Sequence, residues 1–436
     1  MDTKQAPLPT APAQTPSPAA RLWRNRDFNI LWTGQTLSAF GDSFALVALP
    51  LLVLQATGSV AQMGLVTGVN GIGQLVAGIF ARVIVDRVDR RRLMIVCDCL
   101  RFALYGLIPL WWALRGPAFW LIYAVVALAS VLSMGFQVAY MTAVANLVDR
   151  DQITDANGRL QATFAVAYVL GPTIAGLVSA RVGPVAAIGC DAASFAISAI
   201  SLSLIRLRMT RADRSGESAE TQNVLASRLA ELVAGARFLW DQPILRAITW
   251  LTSLEALMIG GGVDLFIFHL KHDLREGDSA VGLVLGLASV GAILGSLASP
   301  WLRRRFGFGA TWIAGFAFSG VALALIGPAP TVALVAAFAS AFTLGDTIRA
   351  ILQVSLRQEL TPDHLLGRVT SAFWTIGSVP MALGAALTTA LAQRFGAPAV
   401  LFGMGVGALV LALIAIATPV RVARPELLAP GPPEAL

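Results

Sequence analysis

Residues 63–73, Met-Gly-Leu-Val-Thr-Gly-Val-Asn-Gly-Ile-Gly, are followed much later by a similar stretch at 281–291, Val-Gly-Leu-Val-Leu-Gly-Leu-Ala-Ser-Val-Gly. Three glycines of the first stretch recur in the second at an offset of 218 residues, and Trp32 recurs as Trp250 at the same offset. That offset is half of the 436-residue chain. Because the match involves two separate segments, it predicts an internal duplication with a substrate site between the two halves.

Composition indicates that both halves lie in a membrane. Apolar residues make up 56% of the chain, charged residues 13%, and the mean hydropathy is +0.72, whereas soluble domains carry about 25% charged residues. Spanning helices need roughly 20 apolar residues each, and helices satisfy their backbone groups internally. The sequence predicts an all-α membrane protein with twelve spans, at 28–56, 60–84, 93–114, 118–146, 157–180, 184–206, 245–270, 279–301, 309–327, 331–356, 369–393 and 397–419.

The spans group into two pseudo-symmetric bundles of six helices. Between them lies a polar stretch whose second part, Leu225–Trp240, has apolar residues on one side and predicts an amphipathic helix that lies on the cytoplasmic face. The predicted divisions are a disordered cytoplasmic tail at 1–27, a first bundle at 28–206, a linker at 207–244, a second bundle at 245–419 and a cytoplasmic tail at 420–436.

Basic residues set the predicted orientation. With a cytoplasmic N-terminus, the tails, the cytoplasmic loops and the span ends next to them hold 25 of the 32 Lys and Arg residues, as the positive-inside rule requires. Both termini are therefore expected in the cytoplasm and the chain in the plasma (inner) membrane. The net charge of +7 follows from this bias and does not indicate a nucleic-acid partner.

The reactive side chains argue against an enzyme. The three cysteines and three histidines form no metal-ligand spacing, and the sequence contains no catalytic triad pattern or phosphate-binding loop. We expect no metal and no cofactor. A membrane sensor would need a sizeable soluble output domain, and the longest insertion, 207–244, is too short for one. A monomer suffices for the predicted architecture.

The loop after the second span carries Asp86-Arg-Val-Asp-Arg-Arg-Arg-Leu93. The orientation rule explains its arginines but not its acids. A carboxylate at this position can pair with cations and with a helix N-terminus, so the loop is predicted to latch the two halves on the cytoplasmic side. The predicted gate residues are Asp86, Arg87, Arg90, Arg91, Asp98 and Arg101.

This loop resembles the G-x-x-x-D-R-x-x-R-R signature of the major facilitator superfamily, although Arg82 stands at the signature's glycine. The resemblance implies the major facilitator fold and a transporter that works by alternating access. In the fifth span, Gly171, Pro172 and Gly176 resemble the G-x-x-x-G-P-x-x-G-G motif of the superfamily's antiporters; small residues there also serve plain helix packing.

The first span is similar to that of the macrolide-efflux and enterobactin-exporter branch of the superfamily, in Ser38-Ala-Phe-Gly-Asp42 and in Ala48-Leu-Pro-Leu-Leu52. The resemblance extends over nearly the whole chain and implies export of a small molecule without naming it. An importer or a lipid flippase of the same fold remains an alternative.

Ionisable residues within spans are costly and are functional candidates by default. Asp42 and Glu255 lie mid-span with no cation within four residues, and a carboxyl held away from water is suited to bind and release a proton. A hydrogen bond to a neighbouring helix is the alternative for each. Asp346 and Arg349 can pair at i,i+3, in a structural or a substrate-facing role. Asp191 and Asp264 are expected nearer the outer ends, where water or headgroups solvate them.

Polar side chains elsewhere in the spans are candidates for the wall of a central cavity, although contacts between helices explain them equally well. They are Gln35, Asn70, Gln74, Gln137, Tyr140 and Gln353. The leading hypothesis is a proton-coupled exporter of amphiphilic small molecules, with protons, the substrate and the lipid bilayer as its partners.

Overall fold

The computed structural model describes residues 22, 24–85, 89–148, 152–205 and 224–424. These residues form twelve helices that are long and apolar enough to span a membrane, in agreement with the predicted number. The first half contains α1 (Arg26–Thr57), α2 (Val60–Val85), α3 (Arg90–Arg115), α4 (Phe119–Leu147), α5 (Ile153–Val182) and α6 (Pro184–Leu204). Most of the predicted first tail, the second tail beyond residue 424 and the stretch 206–223 lie outside the described residues.

The linker contains α7 (Val224–Asp241), and the second half begins with α8 (Pro243–Ile259). The remaining elements are α9 (Gly262–Phe268), a π-helical turn (His269–Asp273), α10 (Asp278–Phe306), α11 (Phe308–Ile326), α12 (Val332–Leu360), α13 (Asp363–Phe395), α14 (Ala397–Ile416) and a 3₁₀ turn (Pro419–Arg421).

Local signals in the sequence set several helix ends. The Asn25 side chain accepts a hydrogen bond from the backbone N–H of Phe28 and caps α1, as N-cap residues do. Gly58 ends the same helix in a left-handed conformation, with φ of 65°, which glycine adopts at no steric cost. Asp89 caps α3 by accepting from the N–H of Arg92.

The seventh span is broken, whereas the sequence predicts one continuous helix. It passes from α8 to α9 at Gly260 and Gly261. A Cβ on Gly260 would lie 2.7 Å from the backbone nitrogen of Ala385 in α13. The missing side chain therefore lets the break sit directly against α13.

The two ends of the helical bundle differ in how their cores are built. We call the end where α1, α3 and α5 begin, and to which α7 belongs, the linker end, and the opposite one the far end. The largest buried cluster combines residues of both halves, such as Val53 and Ile188 with Leu265 and Val281. Two smaller clusters each belong to one half, one around Phe28 in the first half and the other in the second. The halves thus share a core only toward the far end.

Large apolar side chains are also exposed, for example Leu114 at 71% and Leu297 at 73%. A soluble protein of this size would bury far more of its leucines, whereas lipid requires apolar groups on the outside. The exposed leucines are therefore consistent with a surface that faces acyl chains.

Candidate functional site

A cavity of about 1690 Å³ lies between the two halves. It is lined by α1 to α5 of the first half, by α13 of the second half, and by Glu231 and Leu232 of α7. Its walls run from Pro50 in α1 to Asn157 and Arg368 near the linker end. The cavity therefore extends from the middle of the bundle toward the linker end.

The far end of the cavity is closed by hydrogen bonds between the halves. Asp278, the first residue of α10, accepts from the amide of Gln55 at 3.2 Å and from Lys271 at 2.6 Å. Further cross-half bonds run from Ser59 to Gln393 at 2.7 Å, from Thr67 to Asp264 at 2.8 Å and from Thr173 to the carbonyl of Gly282 at 3.1 Å. The sequence does not mark Asp278 or Gln55 as contact residues between the halves; the one signal for Asp278 is its position just before the repeated stretch.

Glycines of the repeated stretches lie in the contact between the halves. A Cβ built on Gly176 of α5 would lie 2.6 Å from Cα of Gly282 in α10. In the pseudo-symmetric position, Gly64 of α2 lies against Ala385 and Thr389 of α13. The repeat therefore marks the two helix pairs, α5 with α10 and α2 with α13, that join the halves.

The antiporter-like motif belongs to this contact. Pro172 presents its carbonyl to Gly282, at 2.6 Å from where a Cβ would stand. Gly171 instead faces Ser43 of α1 within the first half. The motif therefore lies where helices approach closely. Gly171 meets α1 within the first half, and Pro172 and Gly176 meet α10 of the second half.

The first half holds a cluster of charged side chains beside the cavity. Arg101 of α3 donates to Asp42 of α1, with Nη2 2.9 Å from Oδ1, and its Nη1 lies 3.4 Å from Oδ1 of Asp98. The guanidinium carbon lies 3.7 Å above the ring of Phe195, a cation–π contact. Arg101 is 7% exposed and Asp42 is 57% exposed, so the carboxyl of Asp42 is the charged group that cavity water reaches.

This geometry corrects two expectations. Asp42 is isolated from cations in the sequence, yet it has an ion-pair partner 59 residues away. The predicted Asp98–Arg101 pair forms, but Arg101 lines the central cavity rather than joining the loop at the linker end. The reason is that the guanidinium reaches across from α3 to α1 at the depth of Asp42.

The second half holds a similar cluster inside its own bundle. Arg349 of α12 lies 2.7 Å from Glu255 of α8 and 2.5 Å from Asp346 on its own helix. Arg349 and Glu255 are 8% and 4% exposed, and the guanidinium lies 4.9 Å from the ring centre of Phe316. Glu255, like Asp42, is therefore paired rather than isolated. None of the three charged groups of the second half, Glu255, Asp346 and Arg349, lines the cavity.

The two clusters share one arrangement. In each, an acid in the first span of its half pairs with an arginine. The same arginine pairs with an aspartate three residues earlier on its own helix, and its guanidinium packs on an aromatic ring. A buried cation needs such partners, because an unpaired charge in a low-dielectric interior is costly. Only the cluster in the first half presents its acid to the cavity.

Five of the six predicted cavity side chains line the cavity. Asn70 accepts a 2.7 Å bond from Gln74, and Gln35 donates to Ser198 at 2.9 Å, so these amides both line the wall and join residues within the first half. Gln137 and Tyr140 also line it. Gln353 does not; it lies one turn after Arg349 in α12.

Two further acids differ from expectation. Asp191 and Asp264 are 0% and 2% exposed, not solvated near the outer ends. Asp264 accepts from Thr67 across the halves, while Asp191 lies beside Gly41 of α1. Helix packing explains the burial of Asp191, since α6 lies against α1 along its length and the contact covers the Asp191 carboxyl.

The predicted gate falls partly outside the described residues, which exclude Asp86 and Arg87. Arg91 donates to the carbonyls of Leu202 and Ser203 at the end of α6. These bonds fix α3 to α6 within the first half. Among the described residues, no group of three His, Cys, Asp or Glu side chains could hold a metal ion.

Comparisons with known proteins agree with this architecture. The family model described as Major Facilitator Superfamily matches residues 31–385. The multidrug efflux pump Tap of Mycolicibacterium fortuitum is 28% identical over 400 residues, covering 89% of this chain and 95% of the pump. The enterobactin exporter EntS of Shigella boydii serotype 18 is 25% identical over 386 residues, covering 87% and 88%.

Solved structures show the same fold. The nucleoside transporter NupG superposes with a TM-score of 0.70 at 12% identity, covering 90% of this chain and 98% of that one. A bacterial homologue of the lysosomal transporter Spinster, in an inward-facing and unoccupied conformation, gives 0.73 at 13% identity, covering 94% and 99%. At such identities the likeness extends to the fold alone.

Proposed function

The chain belongs to the major facilitator superfamily and is a membrane transporter, and from that premise we propose that it is a proton-coupled exporter of small amphiphilic molecules. The observation that carries this proposal is the ion pair between Asp42 and Arg101 in the wall of the central cavity. The pair combines a binding surface for substrate with a group that can take up a proton.

Alternating access follows from the difference between the two ends. The halves share hydrogen bonds and a core at the far end, whereas the cavity extends toward the linker end. Rocking of one half against the other would break the far-end contacts and close the linker end around the same cavity. The structure would then represent the state that loads substrate from the linker side.

Asp42 is proposed as the coupling group. Its carboxyl is exposed to the cavity and lies 2.9 Å from the guanidinium of Arg101. Protonation removes the charge that holds Arg101, so the two protonation states favour different arrangements of α1 and α3. A ligand shifts such an equilibrium only by its difference in affinity for the two states. The proton has such a difference, because it binds Asp42 more readily in the arrangement in which Arg101 has left the carboxyl.

The cavity wall suits amphiphilic cargo. Aromatic rings of Phe136, Phe164 and Trp374 offer apolar contact area, while Gln74 and Gln137 offer donors and acceptors. Mostly apolar walls with a few polar groups are typical of small-molecule sites. Two of the relatives are named as a multidrug efflux pump and an enterobactin exporter, and this wall supports an export function of that kind.

The direction of export depends on orientation. The excess of arginine and lysine at the linker end supports an orientation in which that end, with both termini, faces the cytoplasm. A cavity open there would collect cargo from the cytoplasm or the inner leaflet of the plasma membrane. One copy of the chain contains the whole cavity, so a monomer suffices.

The test uses purified protein in liposomes with a panel of amphiphilic drugs. We expect a pH gradient, acidic on the far-end side, to drive substrate out through that side, and an inverted gradient to reverse the movement. Uptake in the same direction as protons would instead indicate an importer. Movement of fluorescent phospholipid between leaflets, without movement of drug, would indicate a flippase.

A further inference from the structure

Asp191 of α6 is a fully buried acid for which the transport scheme above has no role. It is 0% exposed, and neither of its carboxyl oxygens has a hydrogen-bond partner among the described residues. It faces α1, since a Cβ built on Gly41 would lie 2.8 Å from its Oδ1. Gly41 directly precedes Asp42, so Asp191 lies at the depth of the cavity-facing ion pair.

The charged groups around Asp191 indicate which of the neighbouring acids is the costliest to ionise. The titratable and charged groups facing this region are Asp42 on α1, and Asp98, Arg101 and Tyr105 on α3. One guanidinium therefore pairs with two of these carboxyls, Asp42 and Asp98, and not with Asp191. Asp42 has both the guanidinium and cavity water, and Asp98 has the guanidinium at 3.4 Å. Asp191 has neither, and an ionised carboxylate without a partner is the costliest buried group of the three.

The guanidinium of Arg101 lies between Asp42 and the face of α6 that carries Asp191. Its guanidinium carbon lies 3.7 Å above the ring of Phe195, and Phe195 follows Asp191 by four residues on α6. Side chains at i and i+4 lie on one helix face with Cβ atoms roughly 5–6 Å apart. The long arginine side chain can therefore slide along this face from one carboxyl to the other while its stem stays packed.

We propose that Asp191 is a second, buried proton site that exchanges its proton with Asp42 as Arg101 changes partner. In the exchange, the O–H bond of Asp191 breaks and an O–H bond forms on Asp42, while the guanidinium moves from the Asp42 carboxylate to the Asp191 carboxylate. The net charge of the cluster is unchanged. Asp42 then gives its proton to cavity water. This inference rests on the proposed proton coupling and adds a proton store behind it.

Infrared spectroscopy of the full-length protein in lipid nanodiscs tests the site without any substrate. At neutral pH the wild type should show the C=O stretch of a protonated carboxylic acid, and Asp191→Asn should remove that component. Asp42→Asn should remove it as well, because Arg101 then turns to Asp191 and takes the place of its proton. Asp241→Asn, at a carboxyl on α7 with 69% of its side chain exposed, should leave the band unchanged.

A band unaltered in Asp191→Asn would overturn the proton site, and a full band in Asp42→Asn would overturn the exchange. If Asp191→Asn does not fold, Asp42→Asn still decides, since it keeps Asp191 and alters a cavity-exposed side chain. The result is separable from transport, because these bands are measured in the absence of substrate and pH gradient. Loss of the band in both variants, together with wild-type transport that does not respond to a pH gradient, would keep the proton site and reject the proposed coupling.

Discussion

Nη2 of Arg101 lies 2.9 Å from Oδ1 of Asp42, although the residues belong to different helices and are 59 positions apart. The pair joins α1 to α3 in the wall of the cavity, with the carboxyl exposed and the guanidinium buried. Protonation of the carboxyl would therefore alter a contact between two spans. The charge state of one cavity-facing acid is linked to helix arrangement in this way.

Removing the charge of Asp42 should abolish efflux. In Asp42→Asn the amide keeps the shape of the side chain but cannot bind or release a proton. Cells expressing the variant should therefore accumulate drug like cells without the transporter, while the amount of protein in the membrane stays at the wild-type level. Drug accumulation and immunoblotting of membranes measure these two quantities.

Asp241→Asn provides the matched control, because Asp241 is an exposed acid of α7 outside the cavity lining. Its drug accumulation should equal that of the wild type. Efflux by Asp42→Asn at the wild-type rate would exclude Asp42 as the coupling residue.

The charged cluster of the second half should contribute chiefly to stability. Arg349 serves two acids, Glu255 at 2.7 Å and Asp346 at 2.5 Å, so Arg349→Gln leaves two carboxyls without a cation. Breaking a buried pair costs about 3–5 kcal/mol in free energy of unfolding. Glu255→Gln should cost less, because Arg349 keeps Asp346.

Thermal unfolding of the purified protein in detergent measures this order. The double variant Glu255→Gln with Arg349→Gln should be more stable than the sum of the single losses predicts, since it leaves fewer unpaired charges. Arg305→Gln, at an exposed position, should unfold like the wild type. An Arg349→Gln variant as stable as the wild type would contradict this account of the cluster.

A methyl group at Gly176 should shift the protein away from far-end closure. The Cβ of an alanine there would lie 2.6 Å from Cα of Gly282 in the other half, a clash that the backbones relieve only by moving apart. Val281 is fully buried in the far-end core, so a cysteine at this position becomes accessible when the far end opens. In a background without Cys97, Cys99 and Cys190, we expect Gly176→Ala to speed labelling of Val281→Cys by a membrane-impermeant maleimide.

Gly158→Ala is the matched control on the same helix, because no atom lies within 4 Å of where its Cβ would stand. Its labelling rate should equal that of the parent. Equal rates for the two alanine variants would show that the contact between Gly176 and Gly282 does not set closure.

The sequence predicts the twelve spans, because each span is a local run of apolar residues of sufficient length. It also predicts two related halves with a site between them, because the repeated glycines recur at half the chain length and lie where the halves meet. It does not predict which charged residues meet. Asp42 and Arg101 share no sequence proximity, and they meet because α1 and α3 both pack against α6. The i,i+3 pair of Asp346 and Arg349, by contrast, follows from helix geometry alone.

The position of α7 also depends on tertiary packing. Its amphipathic pattern predicts a helix on the cytoplasmic face, and the structure adds that Gly235 lies against the Arg368 carbonyl of α13 and Glu231 in the cavity wall. An apolar stripe can be covered by lipid or by a neighbouring helix, and the pattern alone does not distinguish them.

Coupled proton movement is the most direct measure of the proposed function. A pH-sensitive dye inside liposomes should report protons moving opposite to the drug when a drug gradient alone is imposed on the wild-type protein. Asp42→Asn should show no drug-dependent pH change. Drug movement without any pH change in wild-type liposomes, or protons moving in the same direction as the drug, would contradict proton-coupled export.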